Sequence, residues 1–151
     1  MSVSQRIKQT KGYQSLAHEA LIGVQVAAAY WEQRMEEVFG RHGLTLEQYN
    51  VLRILRGVHP DGHPRYEIAD RLIRRAPDVT RLLDRLERQG FVRRVRSKED
   101  RRLSITCITE KGLAVLDAIE PERVVAQNEI AGRLDEADLR ELSRITNALV
   151  P

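Results

Sequence analysis

Between Tyr66 and Gly112 the chain changes its hydrophobic period twice within 47 residues, and few folds accept that order of elements. A short amphipathic segment, Tyr66 to about Leu72, is followed by a second in which Val79, Leu82, Leu83 and Leu86 hold the i, i+3, i+4, i+7 spacing of one buried helical face. Pro77 suits the first turn of that second helix, and Gly90 is the residue that best tolerates the left-handed position after its end. Phe91 to Arg96 and Leu103 to Ile108 then read as strands joined by the tip Ser97-Lys98-Glu99-Asp100-Arg101-Arg102, and Thr109 is a natural cap for a further helix. Two helices, a glycine stop and a two-stranded ribbon define a winged helix-turn-helix, a module that binds DNA.

Charge supports the same reading. Arg71 to Arg102 holds twelve Lys and Arg against five Asp and Glu, while the whole chain is only +3, which leaves the rest acidic. A basic module in an otherwise acidic protein is the footprint of a phosphate-binding surface rather than of general solubility. On the second helix Pro77, Arg81, Asp84 and Arg88 face away from the apolar stripe, with Thr80 beside them. Arg81 suits a guanine edge, Thr80 a thymine methyl or a base acceptor, and Asp78 a cytosine amine. Arg74, Arg75, Arg85 and Arg88 suit phosphates, which fix register without reading sequence.

The ribbon adds Arg93, Arg94, Arg96, Lys98, Arg101 and Arg102 against Glu99 and Asp100. A slim cationic ribbon fits a minor groove, whose negative potential attracts inserted arginine. Asp100, two residues from Arg102, is expected to orient that guanidinium if the tip is extended.

Outside the module, Leu16, Ala20, Val24, Ala27, Trp31, Met35 and Val38 mark a helix of roughly seven turns from about Tyr13 to Gly40. So long a helix either serves as a core helix in a monomer or packs against a partner subunit, and the second reading is favoured. Thr45 with Gln48 forms a capping box for a helix that buries Tyr49, Leu52 and Leu55 and ends near Gly57. Val58 to Pro64, with Asp61-Gly62 between two prolines, reads as a loop. Pro121 is expected to end or kink the helix begun at Thr109, and Asp135 opens a last helix striped by Leu139, Leu142, Ile145 and Leu149.

The start of the chain lacks the apolar core of a signal peptide, and no apolar run is long enough to span a membrane, so a cytoplasmic protein is expected. The single cysteine, Cys107, excludes an internal disulfide. It shares the parity of Leu103 and Ile105, taken as the inward face of its strand, and is expected to be a buried, inert thiol. His59, Asp61 and His63 invite a metal reading, but a histidine pair in a loop is better read as solvent-exposed, and no metal or cofactor is expected. With no phosphate loop and no spaced nucleophile and base, an enzyme has little support. A winged helix used only for protein contacts is the other alternative.

The run Asp100-Arg101-Arg102, five residues, Ile108-Thr109, two residues, Gly112 resembles the wing signature of the multiple antibiotic resistance regulator (MarR) family, with isoleucine in place of its usual leucine. Leu44-Thr45 with Gln48-Tyr49 and Val51-Leu52 resembles the opening of that family's second helix, and Val79 to Leu86 its recognition helix. The Val58–Pro64 loop departs from the pattern by its length. The resemblance implies a mainly α single domain over residues 1–151, with a winged helix-turn-helix at about 45–112 and dimerisation helices at about 13–40 and 110–150. It implies a homodimer on a palindromic operator in double-stranded DNA, a repressor or less often an activator, with Arg102 as the minor-groove arginine. It also implies a small effector, often an aromatic acid or phenol, held where the dimer helices meet the winged domain, where Trp31, Arg34 and Met35 are candidates.

Overall fold

The computed structural model describes residues 2–150. Helix α1 (Val3–Arg6) is followed by α2 (Leu16–Arg41) and α3 (Leu46–Arg56), then strand β1 (His63–Pro64) and helices α4 (Arg65–Arg71) and α5 (Val79–Arg88). The ribbon β2 (Val92–Arg96) and β3 (Ser104–Ile108) precedes the two last helices, α6 (Glu110–Ala131) and α7 (Glu136–Leu149). No helix among the described residues is long and apolar enough to cross a membrane.

Most boundaries follow from local chemistry. Thr45 accepts the N–H of Gln48 while the Gln48 side chain accepts the N–H of Thr45, the reciprocal box read from the sequence. Thr109 caps α6 and Asp135 caps α7, each accepting the backbone N–H three residues on. Gly90 has φ +77°, the left-handed stop after α5. The short α1 was not foreseen, although Ser2 and Gln5 make a capping box of the same kind.

Four expectations need correction. Pro77 lies outside α5; Asp78 is the cap, accepting the N–H of Arg81 at 2.9 Å. The sheet has three strands rather than two, in the order β1-β3-β2, because His63 and Pro64 pair antiparallel with Thr106 and Ile105. Pro121 does not end α6, the first of the two outcomes expected of it: the helix runs on to Ala131. Proline removes one N–H, yet Leu116, Ile119 and Ala126 on both sides of it are buried, and that packing holds the helix together. Cys107 is buried as expected, but it does not belong to the main packed cluster. Ile108 and Thr106 face inward with Val92, so Cys107 belongs to the opposite face. There the Val58–Pro64 loop covers it, with Gly62 so close that a β-carbon would lie 2.8 Å from its Sγ.

One cluster of buried side chains joins the last turns of α2 to α3, α4, α5, the ribbon base and α6. Phe39 stacks on Tyr49 with ring centroids 4.0 Å apart, fastening α2 to α3. Ion pairs brace α2 against α6: Arg34 with Glu129 at 2.8 Å, and Arg41 and His42 with the two oxygens of Glu122. The hydrogen bonds from His42 and Arg41 hold the Glu122 carboxyl below the usual carboxylate range. Helix α7 buries no side chain, and Leu139, Leu142, Ile145 and Leu149 are all exposed.

Candidate DNA-binding surface

The surface is built on α5 and the ribbon, which share one rigid corner. Thr109 Oγ1 donates to the carbonyl of Gly90 at 2.7 Å and accepts the N–H of Gly112, while its own backbone N–H donates to the carbonyl of Phe91. Gly112 is required by that corner: a β-carbon there would lie 2.3 Å from the Phe91 carbonyl oxygen. Lys111 adds a bond from Nζ to the Gln89 carbonyl at 2.7 Å and lies over the Phe91 ring. The Gln48 amide donates to Gln89 at 3.0 Å, tying α3 to the end of α5. The threonine and glycine of the sequence signature are thus the parts that lock the end of α5 to the ribbon and to α6.

On this frame Val79, Leu83 and Leu86 are buried, and Thr80, Arg81, Arg85 and Arg88 are exposed along α5. The Arg81 side chain is 80% exposed. The ribbon exposes Arg93 and Arg96, and its tip exposes Lys98, Arg101 and Arg102. Arg75 and Pro77 are exposed in the turn before α5, with Asp78 exposed at its cap. Among the described residues Arg75, Arg85, Arg96, Lys98, Arg101 and Arg102 make no ion pair, whereas Arg34, Arg41, Arg123, Arg140 and Arg144 on α2, α6 and α7 are all paired. The exposed cations of α5 and the wing tip thus include a run without a carboxylate partner among the described residues, on a face where a polyanion fits.

Five of the expected contact residues are engaged within the protein: Asp78 caps α5 and its other carboxylate oxygen lies 3.7 Å from Arg81 Nε, and three more are held elsewhere. Arg74 pairs with Glu32 of α2, and Arg94, half-buried, pairs with Asp84 and Glu87 of α5. Asp100 does not hold the Arg102 guanidinium; its Oδ1 accepts the Arg102 backbone N–H at 2.9 Å. The tip is a turn rather than extended chain, so alternate residues do not share a face there. Ser97 accepts the N–H groups of Glu99 and Asp100 and completes the turn.

Two of the concavities around this part of the fold bear on the expected sites. One of about 330 Å³ lies between α5 and the ribbon, lined by Thr80, Leu83, Arg94 and Arg102 and by Arg65 and Tyr66 at the start of α4. Sequence reasoning missed Arg65 and Tyr66; an exposed tyrosine beside an arginine at a helix start was the available signal. The other, about 80 Å³, lies between α2, α3 and the turn after α4, lined by Trp31, Glu32, Leu46, Asn50, Leu72 and Ile73, with Arg74 at its mouth. Trp31 lines this cleft, but Met35 is 2% exposed in the core and Arg34 is held by Glu129 and Glu37. Asn50, also missed, is buried at the cleft wall.

A helix-turn-helix with a cationic three-stranded wing defines the class: a winged-helix DNA-binding protein. The chain belongs to the MarR family of transcription regulators. The family model described as "MarR family" matches residues 44–104. The chain is 30% identical over 105 residues to the HTH-type transcriptional regulator MhqR of Bacillus subtilis (strain 168), covering 70% of this chain and 71% of that protein. A crystal structure of a MarR transcription factor from Planctomyces limnophilus is 37% identical, covers 91% of this chain and 99% of its own, and superposes with a TM-score of 0.70. The same fold, with a TM-score of 0.79 at 24% identity over 93% of this chain and 91% of the other, occurs in Sco3205, a MarR-family regulator from Streptomyces coelicolor solved in complex with DNA. This chain is accordingly a DNA-binding transcription regulator of that family.

Proposed function

We propose that the protein is a homodimeric repressor that grips a palindromic operator through α5 and the wing and is released by a small aromatic acid or phenol. The observation that carries the DNA contacts is the run of exposed cations without a carboxylate partner, among the described residues, along α5 and the wing: Arg85, Arg88, Arg96, Lys98, Arg101 and Arg102. Arg81 addresses base edges in the major groove, Thr80 sits beside it, and Arg102 enters the minor groove, with Arg75, Arg85, Arg96, Lys98 and Arg101 on phosphates. Arg102→Ala is expected to weaken operator binding by about 1 to 3 kcal/mol without lowering the melting temperature, and Arg81→Ala to relax discrimination among bases. Both are measured by titrating wild type and variants at fixed salt into a matched set of duplexes. Arg102→Ala binding as tightly as wild type would sink the wing assignment. A protein whose affinity ignores salt would favour a winged helix used for protein contacts, since phosphate contacts make log affinity fall steeply with log salt.

The release step is supported by the Trp31 cleft. It touches α2, α3 and the turn leading to α5, so an occupant there contacts both the long helix and the winged part. A ligand shifts affinity for DNA only if it binds one arrangement of these parts better than the other. Trp31 is the only tryptophan, which makes its emission a direct reporter. An aromatic carboxylate or phenol is expected to change that emission saturably and to weaken DNA binding over the same concentrations, with reciprocal loss of ligand affinity when DNA is bound. Compounds that release DNA while leaving Trp31 emission unchanged would place the effector elsewhere.

A further inference from the structure

The wing cation Arg94 behaves unlike its neighbours. Arg93 and Arg96 on the same strand are exposed, whereas the Arg94 side chain is 29% exposed and turned back onto α5. Its NH2 donates to Asp84 Oδ1 at 2.6 Å, and its NH1 lies 3.5 Å from Glu87 Oε2. Asp84 and Glu87 are three residues apart, so one flank of the recognition helix presents both carboxylates to one guanidinium. Two acids on one base leave no positive charge for a phosphate.

The position of this contact gives it a purpose. Along the chain α5 and β2 join through Gln89, Gly90 and Phe91, and β1 holds the far side of the ribbon at Thr106 and Ile105. Neither of these ties β2 to the flank of α5 beyond the corner. Arg94, opposite Thr106 in the ladder, makes a second attachment farther out, on the wall of the cleft that also holds Thr80 and Arg102. Two attachments fix an angle. We propose that Arg94 is a positioning residue, clamped by Asp84 and Glu87, that sets the wing against the recognition helix so that Arg81 and Arg102 reach adjacent grooves together. Holding the two reading elements in their bound arrangement removes an ordering cost from association. The inference rests on the DNA-binding reading above, and its test separates the two.

The test uses the full chain and a duplex selected from a randomised pool by the wild-type protein, followed by fluorescence anisotropy over a range of salt. Arg94→Gln is expected to lower affinity by about tenfold, the size of an ordinary coupling between contacting residues. Arg102→Gln is expected to lower the steepness of log affinity against log salt by about 0.9, the loss of one cation from the DNA, and Arg94→Gln, which withdraws Arg102 from its groove, to lower it by at least as much. In the Arg94→Gln background, Arg102→Gln is expected to cost much less than in wild type, because the misaligned wing has already lost its groove contact. Asp84→Asn, which keeps Arg94 and needs no change in the strand, is expected to weaken binding as well. If Asp84 merely repelled phosphates, that variant would bind more tightly. An unchanged slope for Arg94→Gln, strict additivity with Arg102→Gln, or tighter binding by Asp84→Asn overturns the proposal. Should Arg94→Gln fail to fold by circular dichroism, Asp84→Asn alone and combined with Arg102→Gln decides the matter. A wild-type protein that selects no duplex overturns the DNA reading itself, and the positioning role with it.

Discussion

Gly112→Ala is expected to destabilise the protein by about 3 kcal/mol, the upper range for forcing an extra carbon into a packed site. The added β-carbon would lie 2.3 Å from the Phe91 carbonyl oxygen and 2.7 Å from Ile108 Cγ1. The first of these is backbone, and that same carbonyl accepts the N–H of Thr109, so it cannot retreat without opening the corner. Relief requires α6 to move off the ribbon base, which takes Leu116 out of the core. Gly40→Ala is the matched control. It lies in α2 with nothing within 4 Å of its β-carbon position, and is expected to gain about 0.5 to 1 kcal/mol from helix propensity alone. Urea unfolding of the three proteins measures both. A Gly112→Ala protein within 1 kcal/mol of wild type would mean that α6 slides on the ribbon at little cost.

Removing residues 135–151 is expected to abolish both dimerisation and operator binding. Leu139, Leu142, Ile145 and Leu149 are 38–51% exposed in the single chain, and no side chain of α7 is buried. A 14-residue helix is marginal in water by its own hydrogen bonds, so the apolar stripe must be covered for the helix to persist. Leu16, Leu21 and Val24 in the first half of α2 are exposed too, which supplies a second apolar surface for a partner copy. Two winged domains held this way address half-sites about 10 base pairs apart, and either domain alone loses the gain of linked binding. Sedimentation and duplex titration of the shortened chain at micromolar concentration give the answer. A shortened protein that remains a dimer and binds its duplex as the full chain does would assign the interface to other elements.

The inward and outward faces of α5 were legible in the sequence because that information is local. The apolar spacing of Val79, Leu83 and Leu86 fixed which face of α5 turns inward, and therefore that Thr80, Arg81, Arg85 and Arg88 turn outward. The capping residues Thr45, Thr109 and Asp135 and the stop at Gly90 act within three or four residues, so their pattern survives in the linear chain. The same locality misplaced Pro77, because proline and aspartate compete for neighbouring positions at a helix start, and there the carboxylate of Asp78 takes the cap.

Contacts between segments distant in sequence were decided by the tertiary structure. His63 and Pro64 became a strand because the edge of β3 was open to them, a condition no two-residue pattern encodes. Cys107 is covered by the loop ending in that strand, so it is buried as parity with Leu103 and Ile105 suggested, but on the face opposite the main cluster. Arg94 reads in sequence as one more wing cation; only the meeting of α5 and β2 puts Asp84 and Glu87 on it. Pro121 stays helical because the buried positions around it outweigh one lost backbone bond. Period, caps and charge excess are properties of neighbours along the chain, and the sequence alone determined the winged fold and its cationic face. Which cations remain free for DNA depends on side chains brought together from different elements, and that was settled by packing.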